Sequence, residues 1–124
     1  MQITKCLHVA ILVTDLDRSE QFYGEILKLP KTARSRNFTG SWYQLGEYQL
    51  HLIVASSISE QVKNEKWGRN PHIAFSVSDL DAAKKQLLDY NCSIQPSASG
   101  RRALFTQDPD GNIIELSEVV KYSH

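Results

Sequence analysis

The stretch His8-Val9-Ala10-Ile11-Leu12-Val13-Thr14-Asp15-Leu16-Asp17 decides the fold, because the chain contains it twice. Its second copy reads His72-Ile73-Ala74-Phe75-Ser76-Val77-Ser78-Asp79-Leu80-Asp81. His, Ala, Val and the Asp-Leu-Asp return at an offset of 64 positions, from 8 to 72 and from 15 to 79. The same shift carries Leu50-His51-Leu52 onto Ile114-Glu115-Leu116. One half-length unit is therefore present twice, and a repeat of this kind constrains the architecture before any local propensity is weighed. Four residues able to ligate a metal, His8, His51, His72 and Glu115, stand at repeat-related positions. That placement points to one metal site near a pseudo-twofold axis.

Each copy reads β-α-β-β-β. Residues about 5 to 13 are largely β-branched and apolar, as a buried strand is. Thr14 or Asp15 offers an N-cap. Leu16, Phe22, Tyr23, Ile26 and Leu27 then recur at near-helical spacing, which predicts an amphipathic helix to about Lys28, stopped by Pro30. Short strands follow near 31–36, 41–45 and 48–54, with Gly40 and Gly46 at the turns. Residues about 56 to 69 are polar and aperiodic and read as a linker. The second unit predicts a strand at 71–77, a helix from Asp79 to about Tyr90, and strands near 93–95, 102–106 and 112–118. Asp108-Pro109-Asp110-Gly111 is a turn signal, since Pro presets one φ and Gly accepts a positive one. The chain is thus an α+β fold of two tandem βαβββ modules, about 5–55 and about 70–119, forming one domain over 1–124.

Alternation sorts the faces, because residues two apart in a strand share a side. His8 goes with Ala10, His51 with Gln49, His72 with Ala74 and Ser76, and Glu115 with Ser117. Val9, Ile11, Val13, Leu50, Leu52, Ile73, Phe75, Val77, Ile114 and Leu116 take the other side, which reads as core under the helices. Cys6, two before His8, reads as a small buried hydrophobe. Phe38, Trp42 and Tyr43 are candidates for a substrate pocket or for core. Arg101 and Arg102 are candidates to clamp an anionic tail, or an ordinary solvated turn. The two Asp-Leu-Asp segments sit at helix starts and read as caps.

Lys and Arg total 14 and so do Asp and Glu, which leaves no electrostatic footprint for nucleic acid or an anionic membrane. Two cysteines without a disulfide pattern fit a reducing compartment, and the run Val9–Val13 is too short to span a bilayer. A cytoplasmic protein is expected.

Leu7-His8, Thr14-Asp15-Leu16-Asp17-Arg18-Ser19, Phe22-Tyr23, Pro71-His72-Ile73-Ala74-Phe75-Ser76-Val77 and Asp108-Pro109-Asp110-Gly111-Asn112-Ile113-Ile114-Glu115-Leu116 together resemble the vicinal oxygen chelate superfamily. That superfamily includes glyoxalase I, extradiol dioxygenases, fosfomycin-resistance thiol transferases and bleomycin-resistance proteins. The resemblance runs from about Leu7 to Val119. It implies paired βαβββ modules whose sheets curl around a metal-binding cleft. It also implies one divalent ion (Zn, Ni, Co, Mn or Fe) held by His8, His51, His72 and Glu115. Three neutral imidazoles and one carboxylate leave such an ion net positive and able to polarise a carbonyl.

The branch most resembled is the glyoxalase I lyase/isomerase one. It implies a small-molecule substrate, a metal-bound carbonyl or enediolate, and Glu115 as both ligand and catalytic base. Glyoxalase I-like members carry a carboxylate where this chain has His51. Fosfomycin-type transferases are matched in Gly40-Ser41-Trp42-Tyr43-Gln44-Leu45-Gly46, with Phe105 standing where a Tyr is expected. A thiol transferase, a ring-cleaving dioxygenase and a non-catalytic small-molecule binding protein are the alternatives. A homodimer is expected, since pairing modules buries sheet edges, with the modules drawn from one chain or two.

Overall fold

The computed structural model describes residues 1–33, 39–59 and 63–119. The chain divides into two compact units, Met1–Ser59 and Glu60–His124. In the first unit β1 (His8–Val13), β2 (Lys31–Thr32), β3 (Gly40–Leu45) and β4 (Tyr48–Val54) form a sheet of order β1-β4-β3-β2. In the second, β5 (His72–Val77), β6 (Ile94–Pro96), β7 (Ala103–Gln107) and β8 (Ile113–Glu118) form a sheet of order β5-β8-β7-β6. β1 pairs parallel with β4 and β5 with β8, which requires a crossover, and a helical segment contributes to it in both units. Register follows the repeat: Ala10 faces His51, and Ala74 faces Glu115.

Helix α1 (Leu16–Glu20) and helix α2 (Leu80–Asp89) both start at an extended Asp. Asp15 accepts from the Arg18 amide at 3.1 Å and Asp79 from the Ala82 amide at 3.0 Å. The Asp-Leu-Asp segments are therefore N-caps that satisfy otherwise orphaned donors. Glu118 at the end of β8 also accepts the Leu80 amide, at 2.8 Å. That bond, followed by the Arg102 guanidinium, holds the Glu118 carboxyl below the usual range.

The first helix departs from the expected course to Lys28. After five α-helical residues it widens into a π turn over Gln21–Ile26, with Leu27 N–H bonded to the Phe22 carbonyl at 2.9 Å. Gly24 weakens an α-helical ladder by about 1 kcal/mol relative to Ala. The wider turn seats Phe22, Tyr23 and Ile26 together in the core, with the Tyr23 ring 6.2 Å from that of Tyr43. Lys28 then takes a left-handed φ of 60° and ends the segment. Strand β1 begins three residues later than expected. Its partner β4 starts opposite it at Tyr48, so residues before Leu7 have no strand to pair with. Cys6 is accordingly exposed, not a buried hydrophobe. Of the strand expected near 31–36, the described residues show Lys31–Thr32, and residues 34–38 lie outside the described ones.

Leu50, Leu52, Val13 and Tyr43 centre the first core, and Ile114, Leu116, Leu87 and Leu104 the second. Each fully buried Leu stabilises its unit by about 2 kcal/mol. Burial is deepest on the inner strands β4 and β8, where both faces are covered around Leu50–Leu52 and Ile113–Leu116, while the alternation shows on β1 and β5. Val9, Ile11, Ile73, Phe75 and Val77, on the edge strands β1 and β5, are only half-buried. Burial pushes the Tyr43 phenol, with the Glu20 charge adding to it, up to about 12. Among the described residues no helix is long and apolar enough to cross a membrane.

Candidate metal centre

The first unit brings His8 and His51 together from neighbouring strands. Their rings stack with centroids 4.2 Å apart and planes 16° apart. Trp42 on β3 stacks on the other face of His51 at 4.0 Å and 9°. His51 is thus a buried imidazole held between two rings. Its Nε2 meets Gln49 Oε1 at 2.8 Å. The Gln49 amide nitrogen donates to Gln44 Oε1 at 2.7 Å, and Gln44 donates to the Gly46 carbonyl at 2.6 Å. This chain makes Gln49 Oε1 an acceptor, so Nε2 of His51 carries the proton and Nδ1 keeps the lone pair. Burial first, and then the neighbouring His8, push the His51 pKa below its ordinary value and keep the ring neutral. The in-plane lone pairs of two nearly parallel rings do not converge. Joint ligation by His8 and His51 therefore requires one ring to leave the stack.

The second unit brings His72 and Glu115 together. His72 Nδ1 lies 2.7 Å from the Asn70 carbonyl, which can only accept, so Nδ1 is the protonated nitrogen. Nε2 of the same ring lies 3.4 Å from Glu115 Oε1, a contact that either a proton on Nε2 or a cation shared by the two atoms satisfies. A backbone carbonyl fixing the far nitrogen of an imidazole is the usual support behind a metal-ligating histidine. The carboxylate, on the buried Glu115, is also engaged by Ser117 Oγ at 2.7 Å on Oε2 and by Arg101 Nη2 at 3.5 Å on Oε1. Phe105 packs edge-on against His72, with centroids 5.5 Å apart. An imidazole oriented by a carbonyl, together with a carboxylate, is a donor pair of the type that suits a divalent metal.

Within each unit the ligand-type residues come as a pair. Among the described residues no three His, Cys, Asp or Glu side chains form a group that could hold a metal. Trp42 lies on the His51 side of its sheet, whereas Tyr43 points into the core as alternation requires. Phe38 lies outside the described residues. Arg102 is taken up by Glu118 at 3.1 Å and Asp81 at 3.5 Å, so of the two arginines Arg101 is the one beside the site. The Asp108 turn forms as expected, with its carboxylate accepting from the Asp110 and Asn112 amides and Gly111 at φ 84°.

Two orienting residues were not singled out from the sequence as functional. Gln49 sets the His51 tautomer. Asn70 orients His72 through its carbonyl, while its side chain ties together Asn64, Lys66 and Trp67. The 3-10 turn at Trp67–Arg69 lies in the stretch expected to be linker. Their signal would have been a polar amide residue two positions before His51 and before His72, a weak pattern without coordinates.

Residues 5–116 match the Glyoxalase/Bleomycin resistance protein/Dioxygenase superfamily. A protein of Arabidopsis thaliana named glyoxylase I 4 is 29% identical over 126 residues, covering 94% of this chain and 71% of that protein. Metallothiol transferase FosB of Staphylococcus epidermidis is 28% identical over 122 residues, covering 94% of this chain and 82% of that one. The crystal structure of a glyoxalase family protein from Bacillus anthracis superposes with a TM-score of 0.79 at 20% identity. It covers 97% of this chain and 98% of its own.

Proposed function

This chain belongs to the glyoxalase/bleomycin resistance protein/dioxygenase superfamily, and on that premise we propose that it is a divalent-metal-dependent lyase or isomerase acting on a small molecule in the cytoplasm. The observation that carries the proposal is the His72–Glu115 pair. An imidazole whose Nδ1 is held by the Asn70 carbonyl and a carboxylate oxygen stand 3.4 Å apart, close enough for one cation to bridge them. His8 and His51 stand at the repeat-equivalent places and complete the set His8, His51, His72 and Glu115. We assign His8, His72 and Glu115 as the core ligands. His51 is the fourth, since it is held between His8 and Trp42 and joins His8 on one ion only when that stack opens.

A bound divalent ion supplies Lewis acidity that acidifies the carbon next to a substrate carbonyl. Glu115 is the base that takes the proton from that carbon and returns it to the neighbouring one. Ser117 holds Oε2 while Oε1 faces the opening toward His72 and Arg101. A neutral His51 cannot share this role once its lone pair is committed, so Glu115 is the single base. The similarity to FosB supports a second reading, thiol transfer to an electrophile. The two readings differ in whether a thiol is consumed.

β1 and β5 are edge strands, and Leu12 on β1 is 46% exposed. We assign these edges to pairing in a homodimer. Light scattering at micromolar protein is expected to report two chains, and a monomer overturns the assignment.

The functional test is metal titration by calorimetry, followed by turnover of glutathione hemithioacetals and of epoxides with thiols, at saturating metal. Glu115→Gln is expected to lower metal affinity and to reduce turnover by about 10² or more. His51→Gln is expected to be milder. Full turnover in Glu115→Gln excludes the base assignment, and a wild-type chain that binds no divalent metal excludes the proposal as a whole.

A further inference from the structure

A cavity of about 220 Å³ opens beside Glu115 in the second unit, lined by Lys66, Arg69, Gln95, Ser99 and Arg101 among others. Three of these groups are cations, against the one carboxylate of Glu115. Lys66 and Arg69 form no ion pair among the described residues, although both border the cavity. Arg101 is aimed by two contacts: its Nε donates to Ser99 Oγ at 3.1 Å, and its Nη2 lies 3.5 Å from Glu115 Oε1. Ser99 Oγ is itself paired with Ser97 Oγ at 3.0 Å. Hydroxyls and a guanidinium fork at one opening, with two further cations on its wall, make a donor array in which cations outnumber the single carboxylate of Glu115. Such an array is complementary to an oxyanion. The cations continue into a wider groove that Lys63, Lys66 and Arg69 line together with the one carboxylate of Glu65, so an anionic group longer than a single oxyanion also meets net countercharge there.

We propose that this cavity is an oxyanion subsite, taking the carboxylate or phosphate-type group of the substrate, and that the charge on Glu115 gates it. While Glu115 is an uncompensated carboxylate, it occupies Arg101 and repels an incoming anion. Once a divalent cation takes that carboxylate, Arg101 is released and the repulsion is cancelled, so the metal binds first and the anion second. The gating half rests on the reading of Glu115 as a metal ligand. The subsite half rests only on Arg101 and its neighbours. Linkage makes the effect reciprocal: an anion that draws Arg101 away from Glu115 tightens metal binding by the same factor.

Neutralising Glu115 by mutation imitates the metal without introducing one, and so separates an anion held by Arg101 from an anion held by the ion itself. Inorganic phosphate is the probe, titrated into metal-free protein at low ionic strength and followed by NMR chemical shifts of the Ser99–Arg101 amides, with circular dichroism confirming the fold. Glu115→Gln is expected to bind phosphate about fivefold more tightly than the wild type, the scale of one partly exposed ion pair. Adding Arg101→Gln is expected to abolish the gain, and Arg101→Lys to restore part of it. Arg101→Gln alone is expected to weaken phosphate binding in the otherwise unchanged chain. Equal phosphate affinity in wild type and Glu115→Gln overturns the gate. Unchanged affinity in Arg101→Gln overturns the subsite, and this variant decides the matter even if Glu115→Gln folds poorly. A metal titration that shows no binding fells the proposed function, yet leaves these metal-free results standing on their own.

Discussion

Replacing Asn70 by Ala tests the least visible part of the site, the support behind His72. The Asn70 side chain accepts from the Asn64 amide at 2.8 Å. Its Nδ2 lies 3.0, 3.2 and 3.3 Å from the carbonyls of Asn64, Trp67 and Lys66. Two N–H groups can serve only two of those carbonyls at once, so three bonds exist at any instant. Most of these groups sit near solvent and regain water when the side chain is removed. At about 0.5 kcal/mol per bond the net loss is about 1.5 kcal/mol, which lowers Tm by roughly 5 °C in a chain of this size. The carbonyl that accepts from His72 Nδ1 belongs to the backbone and survives the mutation, but the loop that aims it is loosened. Metal affinity is therefore expected to fall by about tenfold, the low end for loss of such support. The assays are scanning calorimetry, metal titration at 25 °C, and nitrogen NMR of the metal-free His72 ring. Asn70→Asp keeps the acceptor and loses the donors, so it is expected to fall between wild type and Ala. If Asn70→Ala keeps wild-type metal affinity and its His72 ring keeps the Nδ1–H form, the loop does not orient the ligand and the reasoning is wrong.

Gly68 approaches Phe105 so closely that a Cβ there would lie 2.6 Å from the ring. Gly68→Ala is expected to destabilise the protein by about 1–3 kcal/mol, as overpacking does, and to move Phe105 off His72. A denaturant midpoint identical to wild type contradicts this. The pKa of His51 is depressed from 6.5, so between that value and its folded pKa the unfolded chain binds more protons than the native one. Its contribution to stability is complete above pH 6.5 and is lost as pH falls through that window. Urea melts from pH 7.5 to 5.0 are expected to show a steeper loss for wild type than for His51→Gln, and parallel curves refute the assignment. Asp108→Ala leaves the Asp110 and Asn112 amides without their acceptor. It is expected to cost about 2–3 kcal/mol, read as a shift of the thermal midpoint.

The repeat alone determined the architecture. Each unit runs strand, helical segment and three strands, the helices α1 and α2 start after Asp15 and Asp79, and both sheets share one strand order. Period-2 alternation also determined that His51 shares a side with Gln49, and Glu115 with Ser117, because the pleat leaves no other choice. The family and the candidate ligands were legible for the same reason, since both are patterns of residue type at fixed spacing. Other features were decided only by tertiary structure. The π turn depends on seating Phe22, Tyr23 and Ile26 together in the core, beside Tyr43 of β3. The early residues Lys5–Leu7 stay out of β1 because β4 starts no sooner. The orienting roles of Gln49 and Asn70, and the division of labour between Arg101 at the cavity and Arg102 at Glu118, rest on hydrogen bonds across loops and neighbouring strands. Such bonds depend on distance and lone-pair direction, which no periodicity along the chain encodes.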